Sequence, residues 1–441
     1  MANRRQFLKT AAAGASALLA APYIYPNESG KIYKTALIGT GWWGMNILGE
    51  AIKAGRSNVV ALCDVDRNQL TPAIEKVHQL TGHKPKAYED FRDLLAREKP
   101  EIVIVGTPDH WHPLITIAAV EAGAHVYVEK PIGHTIREGR AMVAAARDNN
   151  RTVTVGTHRR VSPHNVSGME FLRQGHAGKI GMVRAFVHYG GGPETATPNE
   201  PAPDGLNWDL WCGPAPLRPF NRKIHTRGFR QFLDYANGTL GDWGIHWMDQ
   251  ILWWAGDDVF PKRIHSTGGR HIAGPIVHDG ISQTTDAPDH QVATFEFESF
   301  TATWEHRKFA GNNTDKGENV GCYFYGTKGI FHMGWRQGWT FYPHNSKADS
   351  IHTEPDLHEP DSQNIREVWA DFLKCIESGH RPVCDIETIH RSTNLSLLGM
   401  LSLKLGRSIE WDGLHERVPN DPEANALLYR DYRGEWKYPG T

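Results

Sequence analysis

The segment Thr35-Ala36-Leu37-Ile38-Gly39-Thr40-Gly41-Trp42-Trp43-Gly44 narrows the folds open to this chain more than any other. An apolar run ends in G-x-G-x-x-G, and a helical pattern follows over residues 45–54. A second apolar run, 59–63, then ends in Asp64, 20 residues past Gly44. Strand, turn, helix, strand and acid in that order make a dinucleotide site. Gly39 permits the tight turn, Gly41 lets the backbone approach a pyrophosphate, and Gly44 lets the helix sit close on the strand. The diphosphate is expected on the free N–H groups of the helix start. Asp64 is expected to accept hydrogen bonds from the adenosine ribose. Its charge would repel a 2′-phosphate, so NAD is expected in preference to NADP. An ordinary glycine turn would not bring both strands and the acid into register.

The same alternation continues to about residue 157. Apolar runs at 35–38, 59–63, 102–106, 125–128 and 152–155 are separated by helical patterns at 68–80, 91–97, 114–122 and 136–148. This predicts a parallel sheet covered by helices on both faces. Then the pattern changes. Residues 163–173 read as a helix, and 190–203 as a Gly/Pro/Thr-rich loop. Residues 182–189, 291–297, 302–307 and 321–325 alternate polar with apolar, the signature of antiparallel strands with one covered face. Late helices are expected at 365–378 and 388–405. The fold expected is α/β: a Rossmann domain over 32–157, doubly wound, and a C-terminal α/β domain over 158–441 with a large open, mostly antiparallel sheet. At 441 residues, two domains are the natural division.

Residues 1–31 read as a signal and linker. Asn3-Arg4-Arg5-Gln6-Phe7-Leu8-Lys9 is a twin-arginine motif followed by an alanine-rich stretch, 11–21, that ends in small residues. A basic amphipathic helix is the alternative; the order of regions favours export to the periplasm by the twin-arginine route. That route carries folded, cofactor-loaded proteins. Without Arg4, Arg5 and Lys9 the chain has 45 basic against 50 acidic residues, no footprint for nucleic acid. No run is long and apolar enough for stable membrane insertion. The five cysteines show no metal spacing; Cys375 and Cys384 either pair or stay as separate buried thiols, and the latter is expected.

Three constellations carry chemistry. Glu129-Lys130-Pro131 follows the run 125–128, so Lys130 falls at the carboxyl end of a strand, where it can donate to a substrate hydroxyl or developing alkoxide. In Gly241-Asp242-Trp243-Gly244-Ile245-His246-Trp247-Met248-Asp249, a helix would put Asp242 and His246 on one face, a carboxylate beside a general base. Thr107-Pro108-Asp109-His110-Trp111-His112-Pro113 follows the run 102–106 and also reaches the cleft. No third ligand stands near its two histidines, so no metal is expected. The 15 tryptophans, several within 208–254, suit either sugar stacking or core packing.

Together these residues resemble the Gfo/Idh/MocA oxidoreductases, relatives of glucose-fructose oxidoreductase and inositol dehydrogenase. The resemblance runs from about residue 32 to the C-terminal region. It rests on Gly39-x-Gly41-x-x-Gly44, Asp64, the Thr107-Pro108 to His112 loop, Glu129-Lys130-Pro131, the Gly241 to Asp249 motif, and Phe324-Tyr325-Gly326-Thr327-Lys328-Gly329. It implies a cofactor site from Gly39, Gly41, Trp42, Trp43, Gly44, Asp64, Thr107, Pro108, His112, Glu129 and Lys130. It implies a catalytic group of Lys130, Asp242 and His246, with Arg159 joining those three against the substrate; His158 and Arg160 are weaker candidates. His246 would take the hydroxyl proton, Lys130 would hold the same oxygen, and Asp242 would orient them. Trp42 and Trp43 either cover the cofactor or pack on the second domain. The segment 207–214 looks like an exported subgroup.

The function expected is hydride transfer between a sugar or cyclitol hydroxyl carbon and a tightly held nicotinamide cofactor. The alternative is a redox-neutral NAD-dependent glycosidase that oxidises, eliminates, adds water and reduces. A third reading is a non-catalytic sugar-binding relative. The resemblance also implies an oligomer, a homodimer or homotetramer.

Overall fold

The computed structural model describes residues 30–440 except 346, so the expected twin-arginine signal lies outside the described residues. In the first half, strands β1 (Tyr33–Ile38), β2 (Ser57–Cys63), β3 (Lys86–Tyr88), β4 (Ile102–Val105), β5 (His125–Val128) and β6 (Val153–Val155) pair in parallel in the order β3-β2-β1-β4-β5-β6. β4 and β6 are buried at every residue, as strands covered on both faces must be. The covering helices are α1 (Trp42–Ala54), α2 (Arg67–Thr81), α3 (Phe91–Glu98), α4 (His112–Glu121) and α5 (Ile136–Asp148). Strand order reverses between β1 and β4, which opens a crevice at their carboxyl ends. β3 was not expected: three edge residues, none buried, give no apolar run to read. α1 starts three residues before the expected position, because both tryptophans of the turn belong to its first helical turn.

After α6 (Pro163–Arg173) the chain enters a nine-stranded sheet of order β16-β15-β14-β13-β7-β12-β11-β9-β17. Its strands are β7 (Ile180–His188), β9 (Arg263–Gly269), β11 (His290–Glu296), β12 (Thr301–Arg307), β13 (Val320–Gly326), β14 (Gly329–Gly334), β15 (Trp339–Pro343), β16 (Ile351–Thr353) and β17 (Ile409–Glu410). All neighbours are antiparallel except β7 and β12, which run parallel. No hairpin joins that pair. The chain leaves β7 on a long excursion and returns through β9 and β11, which frees the direction of β12. The excursion holds the short strands β8 (Thr197–Pro198) and β10 (Ser282–Gln283) and the helix α7 (Trp208–Cys212).

One face of the sheet is covered by α8 (Ile245–Ala255) and α10 (Ile386–Leu405), around buried Phe295, Trp304, Phe324 and Leu398. The other late helix, α9 (Pro360–Ser378), packs on the first half through Val368, Trp369 and Phe372. β9 and β14–β17 escaped the sequence reading. β14, for example, is buried at five of six positions, so its polar–apolar alternation is lost.

The excursion has its own small core, in which Trp208 and Trp211 stack at 4.5 Å. These two are packing residues. The excursion docks on the first half through Asn207 N–H to Val65 O and Arg67 N–H to Gly205 O, both 2.9 Å. All five cysteines are buried and free, so Cys375 and Cys384 are separate thiols. No helix among the described residues is long and apolar enough to cross a membrane.

Candidate active site

The glycine turn sits at the β1/β4 crevice. Gly39 has φ +93°, and a Cβ there would lie 2.7 Å from Gly106 C and Thr107 N. A Cβ on Gly44 would stand 2.0 Å from Gly39 O. Helix and strand therefore touch through backbone alone. Gly41 is different, since nothing lies within 4 Å of the position its Cβ would take. No side chain caps the first turn of α1. Open space before uncapped N–H groups fits a diphosphate. At the end of β2, Asp64 accepts from Thr40 N–H (2.7 Å), Thr40 Oγ1 (2.9 Å) and Asp66 N–H (3.0 Å). A carboxylate has about four acceptor positions, so one remains for a ribose hydroxyl. Burial raises its pKa against the pull of those donors.

The crevice, about 1030 Å3 with the open space at its mouth included, is walled on one side by the glycine turn and on the other by residues 225–230 of the excursion. Of the expected cofactor residues, Gly39, Gly41, Trp42, Trp43, Asp64, Thr107, Pro108, His112, Glu129 and Lys130 line it, and Gly44 lies beneath the turn. His112 is a brace: its ring nitrogens face Pro131 O at 2.7 Å and Thr107 O at 2.8 Å, tying the ends of β4 and β5 together. Burial pushes it down to about 4, so one of these contacts lacks a proton when the ring is neutral. Glu129 is pushed up to about 7 by burial, which outweighs Lys130 beside it.

Lys130 donates to Asp242 Oδ1 at 2.7 Å and to Asp242 O at 2.9 Å. Burial alone would raise the Asp242 carboxyl, but Lys130 and Arg230 outweigh it and hold it below the usual carboxylate range. Residues Leu240–Gly244 form a π-helical turn before α8, where an α-helical turn was expected. The Asp242 carboxylate accepts from Lys130 and Arg230. No hydrogen bond joins it to His246 among the described residues, and His246 Nδ1 is buried without a partner. Burial, then Lys130, pushes His246 well below the usual imidazole range, which keeps the ring neutral. Its neighbours are Trp335 at 4.9 Å and Trp243 and His158 at 5.9 Å between ring centroids.

Arg159, expected against the substrate, is 3 % exposed. Its guanidinium stacks 3.3 Å from the Trp335 ring centroid and donates to Asp361 Oδ1 at 3.1 Å, so it supports the wall behind His246. Arg160 is bound to Asp249 and Asp257. No cluster of three or more His, Cys, Asp or Glu side chains among the described residues could hold a metal ion.

Family models agree with this architecture. The oxidoreductase family model for an NAD-binding Rossmann fold matches residues 33–157. The oxidoreductase family model for a C-terminal alpha/beta domain matches 153–272 and 283–438. The chain belongs to the Gfo/Idh/MocA oxidoreductase family. Among similar proteins, a glycosyl hydrolase family 109 protein of Shewanella baltica is 26% identical over 211 residues, 42% of this chain and 46% of that one. A levoglucosan dehydrogenase of Pseudarthrobacter phenanthrenivorans is 28% identical over 218 residues, 47% of this chain and 49% of that one. The chain thus spans about half the length of the curated relatives it matches. The fold is shared with an aldose-aldose oxidoreductase from Caulobacter crescentus complexed with glycerol (18% identity, 86% of this chain, 100% of that chain, TM-score 0.63). It is shared too with the WlbA dehydrogenase from Bordetella pertussis in complex with NADH and UDP-GlcNAcA (18% identity, 86% of this chain, 99% of that chain, TM-score 0.61).

For a Gfo/Idh/MocA chain the sequence reading left out two cleft residues. Arg230 donates through Nε to Asp242 Oδ1 at 3.2 Å. Asp109 is 2 % exposed, and burial pushes it up to about 7. Asp109 lay within the Thr107 to His112 loop, where its raised pKa depends on what covers it. Arg230 had no signal, since it reaches the cleft only when the excursion folds back.

Proposed function

We propose that the protein oxidises a hydroxyl carbon of a carbohydrate or cyclitol with NAD held in the β1/β4 cleft. The observation that carries this reading is the Lys130–Asp242 pair, 2.7 Å apart at the cleft that holds the glycine turn, with neutral His246 on the helix that follows. Gly41, the first turn of α1 and Asp64 would hold the cofactor. When bound, it supplies a hydride acceptor that can also return the hydride. Neutral His246 takes the substrate hydroxyl proton. Lys130, fixed by an ionised Asp242, donates to the same oxygen as its charge develops. The aromatic rings around His246 give a sugar C–H face a surface to lie on. A negatively charged Asp64 favours NAD over NADP. The names of the relatives, a levoglucosan dehydrogenase among them, support a sugar as substrate.

The second reading, a redox-neutral glycosidase, is favoured by the relatives named glycosyl hydrolase family 109 proteins. One assay separates the two. The purified protein is mixed with free sugars, cyclitols and aryl glycosides, while NADH absorbance and aglycone release are followed together, with NAD and NADP in parallel. NADH formation without aglycone, faster with NAD, is the expected result. Repeated aglycone release without lasting NADH would replace it with the glycosidase. A protein that binds no nucleotide would end both.

Export by the twin-arginine route belongs to the same proposal, with the cofactor carried inside the folded chain. Replacing Arg4 and Arg5 by lysine is expected to leave the protein in the cytoplasmic fraction. An unchanged distribution between fractions would refute export by that route.

A further inference from the structure

Resting on the dinucleotide reading above, we propose that Arg227 is a ligand of the cofactor's diphosphate, supplied across the cleft by the second half of the chain. The edge of the excursion at 225–230 faces the glycine turn. From that edge the Arg227 guanidinium stands 4.5 Å from the centroid of the Trp42 ring. Trp42 is the first residue of α1 and directly follows Gly41. The cation therefore lines the same cleft as Gly41, where the turn leaves open space and the first helical N–H groups have no cap.

Two further features make this a built position. Residue 225, two before Arg227, is anchored: His225 Nε2 lies 2.9 Å from Asp66 Oδ2. Asp66 caps α2 and stands two residues beyond Asp64, so the excursion is tied to the loop that carries the ribose carboxylate. Arg227 itself is also unspent. Arg230 is bound to Asp242, whereas the Arg227 side chain forms no ion pair or hydrogen bond among the described residues and rests on the indole alone. A guanidinium stacked on an aromatic face keeps its in-plane N–H donors free, and those donors match phosphate oxygens. Trp42 is 53 % exposed, so its indole is no core filler; it is the platform that aims the arginine. A diphosphate on the turn would then be met by backbone N–H groups from one half of the chain and by a guanidinium from the other. Its release would require the excursion to lift.

The test is a titration of the nucleotide-free full chain with NAD, ADP-ribose and adenosine. Arg227→Ala is expected to weaken NAD and ADP-ribose about tenfold to a hundredfold, the range of a charge-assisted contact. Adenosine, which lacks the diphosphate, should bind as it does to the unaltered protein. Arg227→Lys keeps the charge but loses the planar stack, and should fall between. Unchanged ADP-ribose affinity in Arg227→Ala overturns the assignment. An equal loss for adenosine also overturns it, since the excursion as a whole would then have come loose. If the unaltered protein binds none of the three, the dinucleotide reading fails and this proposal with it.

Discussion

Replacing Lys130 by methionine is expected to lower kcat by about a thousandfold while NAD still binds. The size follows from the two tasks that the proposed mechanism gives the ammonium group. General acid–base groups contribute about 10²–10⁴-fold, and a single donor to a developing oxyanion about 10²–10³-fold. The tasks overlap in one side chain, so the factors do not multiply. Methionine has similar length and reach, and the Lys130 side chain is 13 % exposed, so packing changes little. Asp242 is not stranded either, because Arg230 stays on its Oδ1 at 3.2 Å. The loss should therefore appear in hydride transfer during a single turnover, with nucleotide affinity unchanged. A kcat within tenfold of the unaltered protein, with NAD bound normally, would remove Lys130 from the catalytic group.

Replacing Asp249 by alanine is expected to cost about 3–5 kcal/mol of stability, enough to consume much of a typical domain's margin. Asp249 is 1 % exposed and accepts from Arg160 Nε at 3.1 and 3.0 Å, from Arg160 Nη2 at 2.8 Å and from Ser392 Oγ at 2.9 Å. Removing the carboxylate leaves a buried guanidinium whose remaining carboxylate, Asp257 at 2.9 Å, is partly exposed. Asp249 rides on α8, the helix that carries His246, whereas Arg160 stands just after β6. Their pairing ties α8 to the segment that follows β6. The midpoint of denaturant unfolding measures the cost. A loss below about 1 kcal/mol would mean that the pair adds little beyond what its surroundings already fix. Asp249→Asn, which keeps the volume and a hydrogen bond to Ser392, should lie between.

The resemblance drawn from the sequence included Asp249 but gave it no partner, and it placed Arg159 and Arg160 against the cleft. The structure uses both arginines as struts. That could not be read from residue types, because an arginine serves ligand or scaffold according to what stands opposite it. His246 shows the same limit. Its spacing from Asp242 suggested a histidine–carboxylate pair, but the carboxylate is bonded to Lys130, 112 residues earlier in the chain, and to Arg230. The parallel pairing of β7 with β12 and the closing of residues 225–230 over the cleft were equally out of reach. Each depends on contacts between distant parts of the chain.

What the sequence by itself determined is what local geometry enforces. Continuous apolar runs set most of the parallel strands, and period-two runs set several of the antiparallel ones. Gly39 and Gly44 mark positions where a Cβ would strike backbone, Gly41 marks open space, and Asp64 stands at the end of β2 as the spacing required. Those constraints act over a few residues and so leave a trace in order and spacing. Only the tertiary structure decided which charges meet: Lys130 and Arg230 on Asp242, Arg160 on Asp249, Arg227 over Trp42. A charge's partner and its burial are set by the packing of remote segments, and no pattern along one segment encodes them.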